Sequence, residues 1–495
     1  MQAMRRQTFL IPLLIFCTAA FMYALFGFNG KLVRDDAIWL YGGQQMAQGI
    51  PPYVSIFDFK SPLGPMLAGV GAWLALLLHG DDILYVRLLF FLLSCFTVVA
   101  VYYWSASLYR SRAAGVLAAV VFLTFWGFTR HAGSGPQAKT AMVLFEVLAL
   151  YFAGEKKWFR QGCCGALAAW AWQPAAIYIL IPSLLAALQA DRRKALLRLV
   201  LGAALPSLLI LAYFFYHGAF RDLLDGAVLF TLNELQRGRP FLEHLRYVRR
   251  TLMEGFPYAV VPIGLGFLTL AWSYPWRRHG RSWRQLLADD PFAGLWLTLP
   301  LPLLWSVSDF QGYDDFFIFL PYVAVGFGGL LFHLVRWWSA QRPVLYRALL
   351  GLFIAAMLVP SALFYNAKRN QIGRYLDQQK QWAQTIEKEL VGQGTLMSIG
   401  TPELMVVSHR RNAHRYLYIV EGIDSFIDDK APGGFAGWLA DIEKTAPAAI
   451  GFKYSPGQHM ERLQRWLADH YRETRVGDWT LYVQPWRTEW KMSEE

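Results

Sequence analysis

Charge is what this chain has least of. Of 495 residues only 17% are Asp, Glu, Lys or Arg, while 55% are hydrophobic. A water-soluble protein of this length needs a more polar surface, so that class is excluded and a multi-span membrane protein is expected. Cysteine is scarce as well. Cys17, Cys95, Cys163 and Cys164 are the only four, and all lie inside apolar runs. They build no disulfide framework for an outer domain and no metal spacing, and read as small buried hydrophobes. Internal repeats and low-complexity tracts are absent, which speaks against the repeated halves of many transporters. Acids are outnumbered, 35 against 47 Lys and Arg, giving a formal net charge of +12. No nucleic-acid partner is expected from this surplus, because the bases sit in short clusters between apolar runs. That is the placement of topology signals and of contacts to anionic lipid.

Aromatic residues are plentiful. The 20 Trp and 24 Tyr suit the belts at the two bilayer surfaces. The first apolar run is too long for a cleaved signal peptide and no small-x-small site ends it. Apolar length predicts spans at 8–28, 83–106, 113–130, 137–153, 158–172, 174–189, 195–216, 255–275, 291–308, 315–335 and 345–364. The pair around Gln173-Pro174 reads as one kinked helix or two short ones. Arg5–Arg6, Arg110 and Arg112, Lys156–Lys157 and Arg160, Arg192 to Arg198, Arg277 to Arg284, and Arg336 to Arg347 all fall on one side of this arrangement. With a cytoplasmic N-terminus they are all cytoplasmic, as the positive-inside rule requires. Residues 63–78 are apolar enough for a span, yet counting them would reverse every later cluster. They are expected to form a juxtamembrane or re-entrant helix near the outer face.

After about residue 365 the chain turns polar. Residues 395–399, 448–452 and 479–483 read as strands and 458–470 as an amphipathic helix. The expected architecture is a polytopic α-helical membrane protein. It has about eleven transmembrane helices, juxtamembrane helices in the first outer loop, and a small C-terminal α/β soluble domain. The membrane part is 1–364, with its first outer loop at 29–82, and the extracytoplasmic part is 365–495.

Residues 34–64 read RDDAIWLYGGQQMAQGIPPYVSIFDFKSPLG. Asp35 and Asp36 lie just outside the first span. Asp58 and Lys60 follow some 25 residues later, stiffened by Pro62 and Pro65. Charges this near a bilayer are costly unless they face a cavity or a partner. The same topology brings Arg130, His131, Asp309, Tyr313, Asp314 and Asp315 to the outer side. None of these acids forms a dense oxygen cage in sequence. No metal or other cofactor is expected, although separated loops leave room for a divalent ion.

The run D-D-A-I-W, Gly49 fourteen residues after Asp35, the PPY that ends at Tyr53, and the D-x-K-x-P at 58–62 resemble the bacterial C-type glycosyltransferases. The protein O-mannosyltransferase and lipid A aminoarabinose transferase branch is the nearest in pattern. The resemblance covers about 25–190 and, more weakly, 305–335, where GYDDFFIFLP matches a Tyr-containing stretch ahead of a Pro. Two positions depart from the pattern. Trp172 stands where the family often has Lys before Gln-Pro, and Asp314 follows Tyr313 where a His is common.

The resemblance implies transfer of a sugar from a polyprenyl monophosphate to a hydroxyl of an envelope glycan, glycolipid or protein, by single displacement with inversion. The setting implied is the outer face of a bacterial inner (plasma) membrane. An acceptor hydroxyl is a weak nucleophile and needs a base, here Asp35, with Asp36 orienting it or binding acceptor hydroxyls. The leaving phosphate gains charge and calls for cations, here Lys60 and Arg87, with Arg130 and His131 in reserve. Asp58 would orient Lys60; Tyr53, Asp309, Tyr313 and Asp314 would support the site or bind sugar. The rival reading is a transporter or lipid flippase with an extracytoplasmic sensory domain. Transporters place charges near the bilayer midplane, whereas here they crowd one face, which favours the enzyme.

Overall fold

The computed structural model describes residues 2–233, 241–257, 259–272, 282–339, 342–370, 375–420 and 422–485. The cluster Arg277, Arg278 and Arg281 lies outside the described residues. In a bilayer each backbone N–H and C=O needs a partner within the protein, so apolar runs become helices. In chain order they begin α1 (Gln2–Phe26), α2 (Arg34–Ala47), α3 (Leu63–Leu78), α4 (Asp82–Tyr109), α5 (Arg112–Phe122), α6 (Trp126–Ser134), α7 (Ala138–Gly154), α8 (Trp158–Ala171), α9 (Ile177–Ala187) and α10 (Arg192–Tyr216).

Among the described residues five helical stretches are long and apolar enough to cross a membrane: Phe9–Phe26 of α1, α4, α10, Tyr313–Ser339 and Pro343–Ala367. Two bent pairs, α5 with α6 and Phe241–Gly255 with Val260–Trp272, bring the number to seven if each is one span. About eleven were expected from apolar length. The difference lies in short elements such as α7 with 17 residues and α8 with 14. At 1.5 Å per residue, 17 residues reach about 25 Å, short of a hydrocarbon core of about 30 Å. The break expected at Gln173-Pro174 is present. α8 stops at Ala171, Trp172 is extended, and Pro174, which has no N–H to donate, sits in the first turn of a 3-10 segment that leads into α9.

The chain packs as two units. The first comprises Met1–Phe28, Arg87–Ala212 and Gly238–Arg369. Here α7 packs on α8, and Leu320–Ser339 packs on α5 and on Val260–Trp272. Tyr322, Val323, Ala324 and Val325 are fully buried. The second comprises Asn29–Val86, Tyr213–Arg237 and Asn370–Glu495. In it α2 packs on α3 and on helix Pro402–Ser408. α3 occupies the residues expected to form a juxtamembrane helix. Ala68, Ala72 and Ala75 are buried on one side, and Val70, Trp73, Leu76, Leu77 and Leu78 are exposed on the other.

The second unit also holds a four-stranded sheet of β1 (Leu396–Ile399), β2 (Ala449–Phe452), β3 (Arg472–Val476) and β4 (Trp479–Val483), in the order β1-β2-β4-β3. β1 and β2 run parallel, with Leu396 opposite Ala449; β4 is antiparallel to both its neighbours. Three of these strands lie where the apolar runs predicted them. β3 was not expected, because its sequence RETRV is polar and mostly exposed. It is set by a two-residue hairpin turn in which Gly477 takes φ +58, a conformation natural to glycine. Helix Met460–His470 buries Met460, Leu463 and Leu467 at helical spacing, as expected for 458–470.

Candidate active site

In the second unit the start of α2 carries the acid pair. Asp35 and Asp36 occupy its first turn, where carboxylates favour the positive end of the helix dipole. They differ in surroundings. The Asp35 side chain is 45% exposed, whereas Asp36 is buried at 3%. Lys60 reaches back to Asp35, with Nζ 3.2 Å from Oδ1. Its ammonium also lies 5.2 Å from the centre of the Trp39 ring. Arg34 approaches Asp35 more loosely, at 3.7 Å. A carboxylate open enough to meet a substrate hydroxyl and a cation thus share one spot.

The main chain around Lys60 is held on both sides. Its N–H donates to Asp58 Oδ1 at 3.2 Å, and its carbonyl accepts the Tyr53 hydroxyl at 2.5 Å. Tyr53 is buried and takes φ +68, a left-handed conformation that costs free energy for a residue with a Cβ. Asp58 is buried, and burial pushes its carboxyl above the usual carboxylate range. The charge of Lys60 and the hydroxyl of Tyr418 act in the opposite sense. Gly226 lets the chain pass close here, since a Cβ on it would lie 2.4 Å from the Asp58 carbonyl oxygen.

The first unit gathers the other expected residues. The bend of 73° between α5 and α6 leads into Arg130 and His131, and a 3-10 helix, Tyr313–Phe319, opens with Tyr313, Asp314 and Asp315. His131 Nε2 and Tyr313 Oη are 2.8 Å apart. The Arg130 guanidinium lies 5.7 Å from the Tyr313 ring centre. Its buried Nε finds no hydrogen-bond partner among the described residues. Arg87 is fully buried and donates to the carbonyls of Phe28 and Gly135. Asp309 accepts from the Gln311 side chain at 3.1 Å, and the Gln311 N–H donates to Asp315 at 2.6 Å.

Lys139 was missed in the sequence, and it links the two departures from the family pattern. From the first turn of α7 its ammonium bonds Asp314 at 2.9 Å and also Asp315. It lies 5.4 Å from the Trp172 ring centre. A lysine is therefore present over the position where the pattern has one, but it comes from a different helix. Likewise Tyr313 has its histidine, from α6 rather than from the next residue. The signal for Lys139 was available, since a lysine inside an otherwise apolar helix needs a partner. Among the described residues no three His, Cys, Asp or Glu side chains converge with metal-binding geometry.

The sequence model of the DolP-mannose mannosyltransferase family matches residues 49–212, a stretch that includes the D-x-K-x-P and Arg130 to Trp172. No curated protein matches the chain in sequence. Two solved structures share its fold. ArnT from Cupriavidus metallidurans in the apo state aligns with TM-score 0.66 at 11% identity, over 97% of this chain and 98% of that one. The same protein bound to undecaprenyl phosphate aligns with TM-score 0.61 at 11% identity, over 96% of this chain and 98% of that one. The family match covers about a third of the chain and the fold is shared with these structures over nearly its whole length, and together they support a glycosyltransferase that uses a polyprenyl-phosphate sugar.

Proposed function

We propose that the protein moves a sugar from a polyprenyl monophosphate to a hydroxyl of an envelope glycan, glycolipid or protein, on the outer face of a bacterial inner membrane, with inversion at the anomeric carbon. The observation that carries this reading is the contact of a half-exposed carboxylate, Asp35, with the cation Lys60 at 3.2 Å. The acceptor oxygen attacks the anomeric carbon and its proton passes to Asp35. The bond from that carbon to the phosphate oxygen breaks, and its electron pair leaves with the phosphate. A phosphodiester with one negative charge becomes a monoester with two. Lys60 is placed to stabilise that added charge, which the transition state develops and the ground state lacks.

The lipid donor follows from the family match and from the undecaprenyl phosphate bound to the ArnT of like fold. Arg130 is the anion-binding candidate of the first unit, because its buried Nε lacks a hydrogen-bond partner among the described residues. Arg87 has carbonyl acceptors of its own and contributes less to this role. The purified protein in lipid nanodiscs, offered a panel of polyprenyl-phosphate sugars and membrane glycolipid acceptors, should transfer one sugar and invert its anomeric configuration, read by NMR of the product. Retention of configuration, or no transfer from any lipid-phosphate sugar, refutes the reading.

A further inference from the structure

The irregular segment between helix Pro402–Ser408 and helix Ile423–Lys430 belongs to the sequence tail, 360 positions beyond the D-x-K motif in one of its contacts. It nonetheless returns to that motif and to residues elsewhere in the second unit. The Tyr418 hydroxyl donates to Asp58 Oδ1 at 2.8 Å. The Phe57 N–H donates to the Arg415 carbonyl at 2.7 Å. The Asn412 N–H donates to the Tyr41 hydroxyl at 2.9 Å. Arg415 bonds Asp222 at 2.7 Å and lies 5.6 Å from the Phe57 ring centre.

The Tyr418 contact differs in kind from the rest. Asp58 is 5% exposed and no cation bonds it directly among the described residues. A buried carboxylate needs donors, because it has lost its water. Tyr418 and the Lys60 N–H are the two donors observed, both on Oδ1. Take the hydroxyl away and the carboxylate turns toward other donors or toward water, releasing the Lys60 main chain. The ammonium that meets Asp35 is carried on that main chain.

We propose that Tyr418 is a positioning residue of the transferase site: it anchors Asp58, Asp58 anchors the Lys60 backbone, and the tail thereby sets where the Lys60 ammonium stands beside Asp35. This rests on the transferase reading above and gives the C-terminal segment a part in the chemistry. That segment's effect passes through Asp58.

Tyr418→Phe removes one oxygen and tests the link in the full-length protein. Loss of a hydrogen bond to a charged group corresponds to about tenfold or more in an equilibrium. Turnover with a polyprenyl-phosphate sugar should fall about tenfold, and the thermal midpoint should drop by no more than the loss of one buried hydrogen bond accounts for. Hydrogen exchange at the amides of 57–60 should quicken, a change that a general loss of stability would spread over the whole unit. Asp58→Asn should rescue part of the loss in the double variant, because a neutral amide tolerates a missing donor better than a carboxylate does. Tyr416→Phe serves as the control on the same segment. Its hydroxyl accepts only a 3.4 Å bond from Arg415, so it should turn over normally.

If Tyr418→Phe leaves both exchange at 57–60 and turnover unchanged, the proposal is overturned. Faster exchange with full turnover overturns it equally, since the anchor then has no bearing on the chemistry. Should Tyr418→Phe fail to fold, the comparison of Asp58→Asn with Asp58→Leu decides: both should lose turnover, the second more than the first because it keeps no acceptor for the Lys60 N–H, and equal turnover overturns the anchor. A wild-type protein that transfers no lipid-phosphate sugar sinks the transferase reading instead, an outcome the exchange experiment distinguishes.

Discussion

Replacing Lys60 by Met keeps the length of the side chain and removes its charge. The structure sets the size of the effect. A unit charge at 4 Å is worth about 4 kcal/mol at an effective dielectric near 20. The Lys60 side chain is 26% exposed and its partner Asp35 45%, so water takes about half of that, leaving about 2 kcal/mol for the charge gained by the leaving phosphate. This corresponds to a loss of about thirtyfold in kcat. Stability should hardly change, because ion pairs this exposed contribute about 0–1 kcal/mol. Arg87→Met should behave in the opposite way. It strips donors from the buried carbonyl of Gly135 and the partly buried one of Phe28, at about 1–3 kcal/mol for the buried group left unsatisfied. The assay pairs initial rates with a polyprenyl-phosphate sugar donor against thermal unfolding of the same preparations. Lys60→Met should be stable and slow, and Lys60→Arg should recover part of the rate. Wild-type turnover by Lys60→Met would refute the argument, and so would a loss of activity matched by a loss of stability.

Asp35→Asn should lose at least about a hundredfold in turnover while still binding donor, since a general base contributes about 10²–10⁴; Asp36→Asn should lose less, and a reversed order in the same rate assay would exchange the two roles. Lys139→Met leaves Asp314 and Asp315 without the cation that bonds both, so the thermal midpoint should drop by the equivalent of about 3–5 kcal/mol; an unchanged midpoint would show that the cluster is not structural. Glu403 is pushed up to about 7 by burial, and its Oε2 has no hydrogen-bond partner among the described residues. The folded protein then holds a proton that the unfolded chain has released, so this group makes stability fall as pH rises from about 4.5 to about 7, with no further change above. With the residue partly exposed the amount is about 2 kcal/mol. Glu403→Gln should raise the midpoint at pH 8 and leave it alone at pH 4, which paired thermal scans would detect. A C-terminal alkaline phosphatase fusion should be active and a fluorescent-protein fusion dark if the tail lies outside, as the placement of the cation clusters in the sequence predicts; the reverse pattern would overturn that topology.

Where the site is local in sequence it could be read from the sequence. Asp35, Tyr53, Asp58 and Lys60 fall within 26 residues, and the Asp58-to-Lys60 bond spans only two. Their spacing survives as contact because a short helix and a proline-stiffened loop leave the chain few other paths. The first unit was harder. Its cluster joins residues 130, 131, 139, 172, 313, 314 and 315, which meet only through helix packing. Buried strands β1, β2 and β4 announced themselves by apolar runs, whereas β3 is mostly exposed and held by hairpin pairing to β4. Tyr418 carried no signal at all, since a tyrosine in a polar tail becomes informative only beside the buried carboxylate it bonds.

The cations of the first unit can be ranked by what already engages them. Lys139 is matched by two carboxylates, Asp314 and Asp315. Arg87 is directed at backbone carbonyls and buried completely. Arg130 instead lies over the Tyr313 ring, and no carboxylate bonds it among the described residues. A guanidinium carries five donors, and a buried donor left unsatisfied, as Nε of Arg130 is among the described residues, is costly unless a ligand completes it. An aromatic face supplies modest attraction and no hydrogen-bond acceptor for Nε. By this ordering Arg130 becomes the first unit's candidate for an anion, whereas family pattern alone ranked Arg87 ahead of it. The reason is physical. A pattern along the chain records that a cation is present, but its usefulness to a phosphate depends on the acceptors its own fold has already given it.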